Sequence, residues 1–178
     1  MPFEYIKSDL YRYCGNTSLK FFFKNYILNR GFNFSVWLRL ANSKGLLGKL
    51  ARLILLYKAR KYGIDISYRM KIGYGLYIGH GGPIIINPTA IIGNNVNLSQ
   101  YTTIGSNEGK AANIGDNVYI GPNVCIVENV KIGSNTTIGA GSVVTKDIPD
   151  NATAAGNYAK VLNYNSPGKY VINRWENS

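Results

Sequence analysis

NIGDNVYIGPNVCIVENVKIGSNTTIGAGSVV, residues 113–144, puts an aliphatic residue at every sixth position: Ile114, Ile120, Ile126, Ile132, Ile138 and Val144. Glycine, asparagine and serine recur between them. The two-residue alternation of an ordinary strand would not hold phase over so many hexads. The same rhythm extends upstream through Ile66, Ile72, Ile78 and Ile84, and again through Ile86, Ile92, Leu98 and Ile104. Three hexads make one triangular coil. The period therefore predicts a parallel β-helix, mainly β in class, in which each isoleucine stacks on its equivalents one coil above and below. Asn94, Asn95, Asn117 and Asn135 suit the corners, because asparagine tolerates left-handed backbone angles.

The phase slips twice. Between Ile84 and Ile86 it shifts by two, just after LYIGHGG, which holds His80, the only histidine of the 178-residue chain. Between Ile104 and Ile114 four extra residues enter, within GSNEGKAAN. Insertions into a solenoid become loops on one face, often the binding face.

Residues 1–63 read differently, as a small α-helical region with few turn residues. Gly15, Gly31 and Gly45 are the candidate breaks, and the last helix runs from about Leu46 to Tyr62 before Gly63. The expected organisation is a basic helical region 1–63, a β-helix 64–162 and a C-terminal tail 163–178. Charge follows the same division. Of the net +11, residues 1–64 carry +10, with 12 Lys and Arg against Glu4 and Asp9. Such a front attracts something anionic. Bases interleave with apolar residues in KFFFKNYILNR (20–30) and GKLARLILLYKARKYG (48–63), which fits an amphipathic helix on an anionic membrane face better than a nucleic-acid groove. Packing within the protein's own oligomer is the alternative. The longest apolar run, 46–57, is broken by Lys49 and Arg52 and falls short of the roughly 20 residues of a spanning helix. Cys14 and Cys125 match no metal or redox spacing, and no signal peptide is evident, so the expected location is the cytoplasm. Cys125 is expected in the core.

DISYRMKIGYGLYIGHGGP (65–83), IGAGSVVTKDIP (138–149) and AGNYAKVL (155–162) resemble the corresponding segments of the left-handed β-helix (hexapeptide-repeat) acyltransferases, in their serine acetyltransferase branch. The resemblance covers residues 63–162. It implies direct transfer from acetyl-CoA without an acyl-enzyme, no metal, and a homotrimer. It sets His80 on the family's catalytic histidine and Asp65 on the aspartate that orients it. Imidazole, with an unperturbed pKa of about 6.5, suits the removal of a proton from an attacking hydroxyl, and a carboxylate beside it fixes its tautomer. A single histidine argues against the zinc-dependent carbonic anhydrases of this fold. For the donor, the resemblance implies a groove between neighbouring solenoids, with Gly121, Pro122, Gly139 and Ala140 along the pantetheine arm. Ser106 would stand near the thioester, and Lys146 and Lys160 near the phosphates.

The motifs also depart from the serine-specific pattern. Gly79 stands where an aspartate precedes the catalytic histidine, and GKAANIG puts Lys110 and Ala111 in place of an arginine and a histidine. Tyr158 replaces a proline, and the chain ends RWENS rather than in the isoleucine through which serine acetyltransferases dock into cysteine synthase. Loss of paired polar contacts argues against a small zwitterion as acceptor. The expectation is therefore an O-acetyltransferase acting on a sugar hydroxyl in capsule, exopolysaccharide or O-antigen biosynthesis, nucleotide- or lipid-linked. Serine O-acetyltransferase and a catalytically silent trimeric scaffold are the alternatives.

Overall fold

The computed structural model describes residues 2–176; Met1, at the head of the helical region, and Asn177 and Ser178, at the end of the tail, lie outside the described residues. Four helices come first: α1 (Pro2–Cys14), α2 (Leu19–Leu28), α3 (Arg30–Leu40) and α4 (Gly45–Tyr62). Two of the expected glycine breaks fall at helix ends, Gly15 after α1 and Gly45 at the first residue of α4. Gly63 terminates α4 with φ 69°, in the left-handed region that lacks a steric penalty only for glycine. Gly31 is not a break; it lies inside α3, and the chain bends at Asn29 instead. A Cβ on Gly31 would stand 2.0 Å from the Ile78 carbonyl oxygen. The residue is small so that α3 can touch the solenoid.

Short strands then wind into a β-helix with three faces. The first face stacks β1 (Ile64–Asp65), β4 (Ile84–Ile86), β7 (Thr103–Gly105), β10 (Cys125–Val127) and β13 (Val143–Val144). The second stacks β2 (Lys71–Ile72), β5 (Ile91–Ile92), β8 (Asn113–Ile114) and β11 (Lys131–Ile132). The third stacks β3 (Tyr77–Ile78), β6 (Asn97–Leu98), β9 (Tyr119–Ile120), β12 (Thr137–Ile138) and β14 (Thr153–Ala155), and is closed by the antiparallel β15 (Lys160–Asn163). All other pairings are parallel and in the register the sequence period demands, with Ile78 over Leu98, Leu98 over Ile120 and Ile120 over Ile138. Thirteen of the fourteen aliphatic residues named from the period are buried; Ile72, in the coil under the helices, is half-buried. Cys125 departs from expectation. Strand alternation turns Ile126 inward and Cys125 outward, where it is half-buried between Thr103 and Val143.

The corners hold themselves in register by side-chain ladders. Asn95, Asn117, Asn135 and Asn151 all have left-handed φ, and each of the first three donates its Nδ2 to the Oδ1 of the next at 3.1 Å. One residue earlier, the side chains of Asn94, Asp116, Ser134 and Asp150 each accept a backbone N–H from the preceding coil.

The helices are fastened to the first coil by a buried ion pair. Asp9 and Arg39 form a bidentate pair at 2.9 Å, and Arg39 also donates to the carbonyls of Ile72 and Gly73. Asp9 accepts the Leu76 N–H at 2.8 Å. Losing one partner leaves a buried charge uncompensated, which costs about 3–5 kcal/mol. Asp9→Ala should therefore lower the melting temperature by about 2–4 °C for each kcal/mol lost in a chain of this size. Thermal denaturation followed by circular dichroism checks this. Gly31→Ala should also melt lower, because its methyl group forces α3 off the turn at Ile78.

Candidate active site

Register decides which of the sequence-derived residues meet. Two positions beyond Leu98, Ile120 and Ile138 come Gln100, Pro122 and Ala140, which stack along one corner of the solenoid, and His80, two positions beyond Ile78, lines a cavity with Gln100 and Pro122 at its head. Just before them runs a column of small residues, Gly79, Ser99, Gly121 and Gly139, each donating its N–H to the coil below at 2.8–3.1 Å. A Cβ on Gly121 would come within 2.8 Å of the Ala140 nitrogen, so close coil stacking alone already demands glycine there. The result is a shallow track of backbone and small side chains leading away from His80. Lys160, paired with Ala155, lies at its far end.

Ser106 and Lys146 stand on a different corner. They and Glu128 fall two positions beyond Ile104, Ile126 and Val144 on the first face. Ser106 donates to Glu128 Oε2 at 2.7 Å. That bond, with the N–H groups of Asn107 and Glu108, holds the Glu128 carboxyl below its ordinary pKa. Asp65 lies on the face between the two corners, in register with Ile85. No hydrogen bond joins Asp65 to His80 among the described residues, and Asp65 lines none of the cavities that reach the imidazole.

His80 sits in the two-residue insertion, exposed, with φ 59° followed by Gly81 at the same angle. Gly81, Tyr101, Asn123 and Gly141 mark the regular left-handed corner of this edge; His80 is an additional left-handed residue beside it. Off-pattern backbone of this kind clusters at functional sites. Tyr13 braces the turn from below, its hydroxyl donating to the Ile78 carbonyl and accepting the Ile78 N–H, both at 3.0 Å.

A cavity of about 320 Å³ opens beside the imidazole. Its polar wall was not foreseen from the sequence. Arg12, only 2% exposed, enters from α1 and donates to Ile172 O, Gly75 O and Asn97 Oδ1. Burial lowers its pKa to about 10, so it remains cationic at neutral pH. Two of its five N–H groups are left over among the described residues. Gln100 adds a buried Oε1 without a hydrogen-bond partner among the described residues. Tyr170 and Ile172 close the far side. They belong to the tail, which runs back along the asparagine corner, with Gly168 bonded to Asn135 and Trp175 to Asn95. Gln100 was within reach of sequence reasoning, since it lies one coil after His80. Arg12 and Tyr170 were not, because no period connects them to the solenoid. A larger cavity, about 560 Å³, lies under α1 and α3 near Ile72 and contains no histidine, carboxylate or thiol. Among the described residues no three His, Cys, Asp or Glu gather as a metal site.

Residues 111–146 match the family model described as bacterial transferase hexapeptide (six repeats). The solved serine acetyltransferase of Neisseria gonorrhoeae, in complex with serine, superposes with a TM-score of 0.73 and 32% identity, covering 89% of this chain and 68% of that one. The chain belongs to the hexapeptide acyltransferases, on their serine acetyltransferase branch. Within that branch, soybean serine acetyltransferase gives the same TM-score and identity, covering 87% of this chain and 66% of its own. Mitochondrial serine acetyltransferase 3 of Arabidopsis thaliana is 40% identical over 117 residues, 64% of this chain but 30% of the relative. The chain thus spans about a third of the length of such curated serine acetyltransferases.

These relatives overturn the sugar acceptor and the polysaccharide pathway, since they are serine acetyltransferases. Of the substitutions that suggested a sugar, Gly79 lines the His80 cavity, while that at Ala111 weighs less in three dimensions. Ala111 is buried at 4% exposure, its N–H bonded to Thr89, so it lies in the core of its own protomer rather than at the His80 cavity. Polar groups enter that cavity from α1 and the next coil instead. Asn97→Ala would free both Arg12 Nη2 and the Tyr170 carbonyl. It should loosen the tail, read as faster proteolysis of the C-terminus, at a stability cost of about 1–3 kcal/mol.

Proposed function

We propose that the protein is an acetyl-CoA-dependent serine O-acetyltransferase, with His80 as the general base. The observation that carries this reading is the cavity that joins His80 to a buried cation and an unpaired acceptor, Arg12 and Gln100 Oε1, in a chain whose relatives are named for serine. A zwitterion needs such a pair. The spare N–H groups of Arg12 suit a carboxylate, and Gln100 Oε1 suits an ammonium group. His80 then takes the proton from the acceptor hydroxyl as that oxygen attacks the thioester carbonyl carbon. The C–O bond forms, the C–S bond breaks, and the imidazolium returns its proton to the departing thiolate. Asp65 is proposed as the carboxylate that orients the imidazole during turnover.

The track along Gly121, Pro122, Gly139 and Ala140 fits a long, thin donor, since it offers backbone groups and little side-chain bulk, with Lys160 at its end for the phosphates. Exposed Ile85 and Ile91 on the outer faces favour a homotrimer in which each solenoid covers its neighbour. The groove between two solenoids would then be bordered by the His80 corner of one chain and the Ser106–Lys146 corner of the next. Transfer takes place in the cytoplasm on this reading; contact of residues 1–63 with its membrane face is a separate proposal.

The test is thiol release from acetyl-CoA by the purified protein with L-serine. Turnover is expected, and its absence at saturating donor and serine would overturn the reading. His80→Ala should lower kcat by about 10²–10⁴-fold with the oligomer intact by light scattering. Asp65→Asn should reduce kcat and shift its pH profile; an unchanged profile removes Asp65 from the mechanism.

A further inference from the structure

Helix α4 is apolar on two opposite sides. Gly48, Ala51 and Leu55 form its buried stripe, and the helix packs against α3. At 100° per residue the far side carries Leu46, Leu50, Leu53 and Tyr57, all at least half exposed, with Leu46 80% exposed. An ordinary surface helix places polar residues opposite its buried stripe. Here the polar residues flank the outer stripe instead, Lys49 and Arg60 on one side and Lys61 on the other, and α4 contains no acid. Helix α2 repeats the arrangement, with Leu19, Phe23 and Ile27 exposed on one side beside Lys20 and Lys24 and again no acid.

We infer that α4, with α2, lies on an anionic lipid surface, its outer leucines in the acyl boundary and its lysines and arginines at the headgroups. Apolar side chains bordered by bases match that boundary, because long basic side chains bury their stems and keep their charges in the headgroup layer. A second copy of the chain fits poorly. A two-fold contact would set the bases of α4 against their own mates with no carboxylate on the helix to answer them. The rest of the chain, near neutral overall, offers no compensating excess of acid. No described helix is long and apolar enough to cross the bilayer, so α4 lies along it.

The experiment is sedimentation of the full chain with two kinds of vesicle, pure phosphatidylcholine and phosphatidylcholine mixed with phosphatidylglycerol, at low and high salt. Binding to the anionic vesicles is expected to exceed binding to the neutral ones by about tenfold or more and to weaken with salt. Leu50→Glu combined with Leu53→Glu should abolish it with an unchanged melting temperature, since both side chains are exposed. Lys49→Glu with Lys61→Glu should remove the preference for the anionic lipid. Equal binding to both vesicles, or to neither, overturns the inference. So does a leucine double variant that splits the oligomer while the parent ignores vesicles, which would make this face a contact between copies.

Discussion

Every inward aliphatic residue of the solenoid must stack on its equivalent in the next coil, and this requirement governs everything else. A flat face cannot absorb an extra residue, because a shift of one along a strand turns its core side chain outward. Additions to the hexad rhythm therefore collect at corners. Ile78 and Ile86 are eight apart where six would do, and the surplus is the turn that carries His80. The surplus between Ile104 and Ile114 becomes the loop beside Ser106 and Glu128. The candidate site and the irregularities coincide because the core leaves no other place for an extra residue.

The helical region adds what the solenoid lacks. A β-helix surface is built of small corner residues and offers few groups that can grip a ligand. Helix α1 brings Arg12 and Tyr13 to the first coil, and the Asp9–Arg39 pair fixes where they stand. The stacked rings of Tyr5 and Tyr74, 4.2 Å apart, and the Arg39 guanidinium 4.7 Å over Tyr5 cover that pair. The polar wall of the cavity is thus supported by contacts that never touch it.

The fold was legible because a stacked solenoid writes its contacts into a local period, so Ile120 announces its neighbours at one coil's distance. The candidate site was legible only where it followed that period. Gly121, Pro122, Gly139 and Ala140 share the His80 corner as their spacing implies, and Ser106 and Lys146 share the next corner by the same spacing, with Asp65 on the face between. Arg12 gave no sign, since a base in an amphipathic helix reads as solvated until the coil it enters is known. Gly31 was misread for the opposite reason, its smallness serving a tertiary contact with Ile78 and not a local bend. The acceptor was misjudged because the motif positions were treated as the whole of the site, when the cavity also draws on segments that share no motif.

The tail joins residues that are far apart in the order of synthesis. Arg12 donates to the carbonyl of Ile172 and Asn97 to that of Tyr170, so the segment that follows the solenoid finishes a wall begun by α1. A nascent chain can stack its coils one after another as they emerge. It cannot enclose the space beside His80 until Tyr170 and Ile172 have followed, so the cavity is completed only after the coils it rests on.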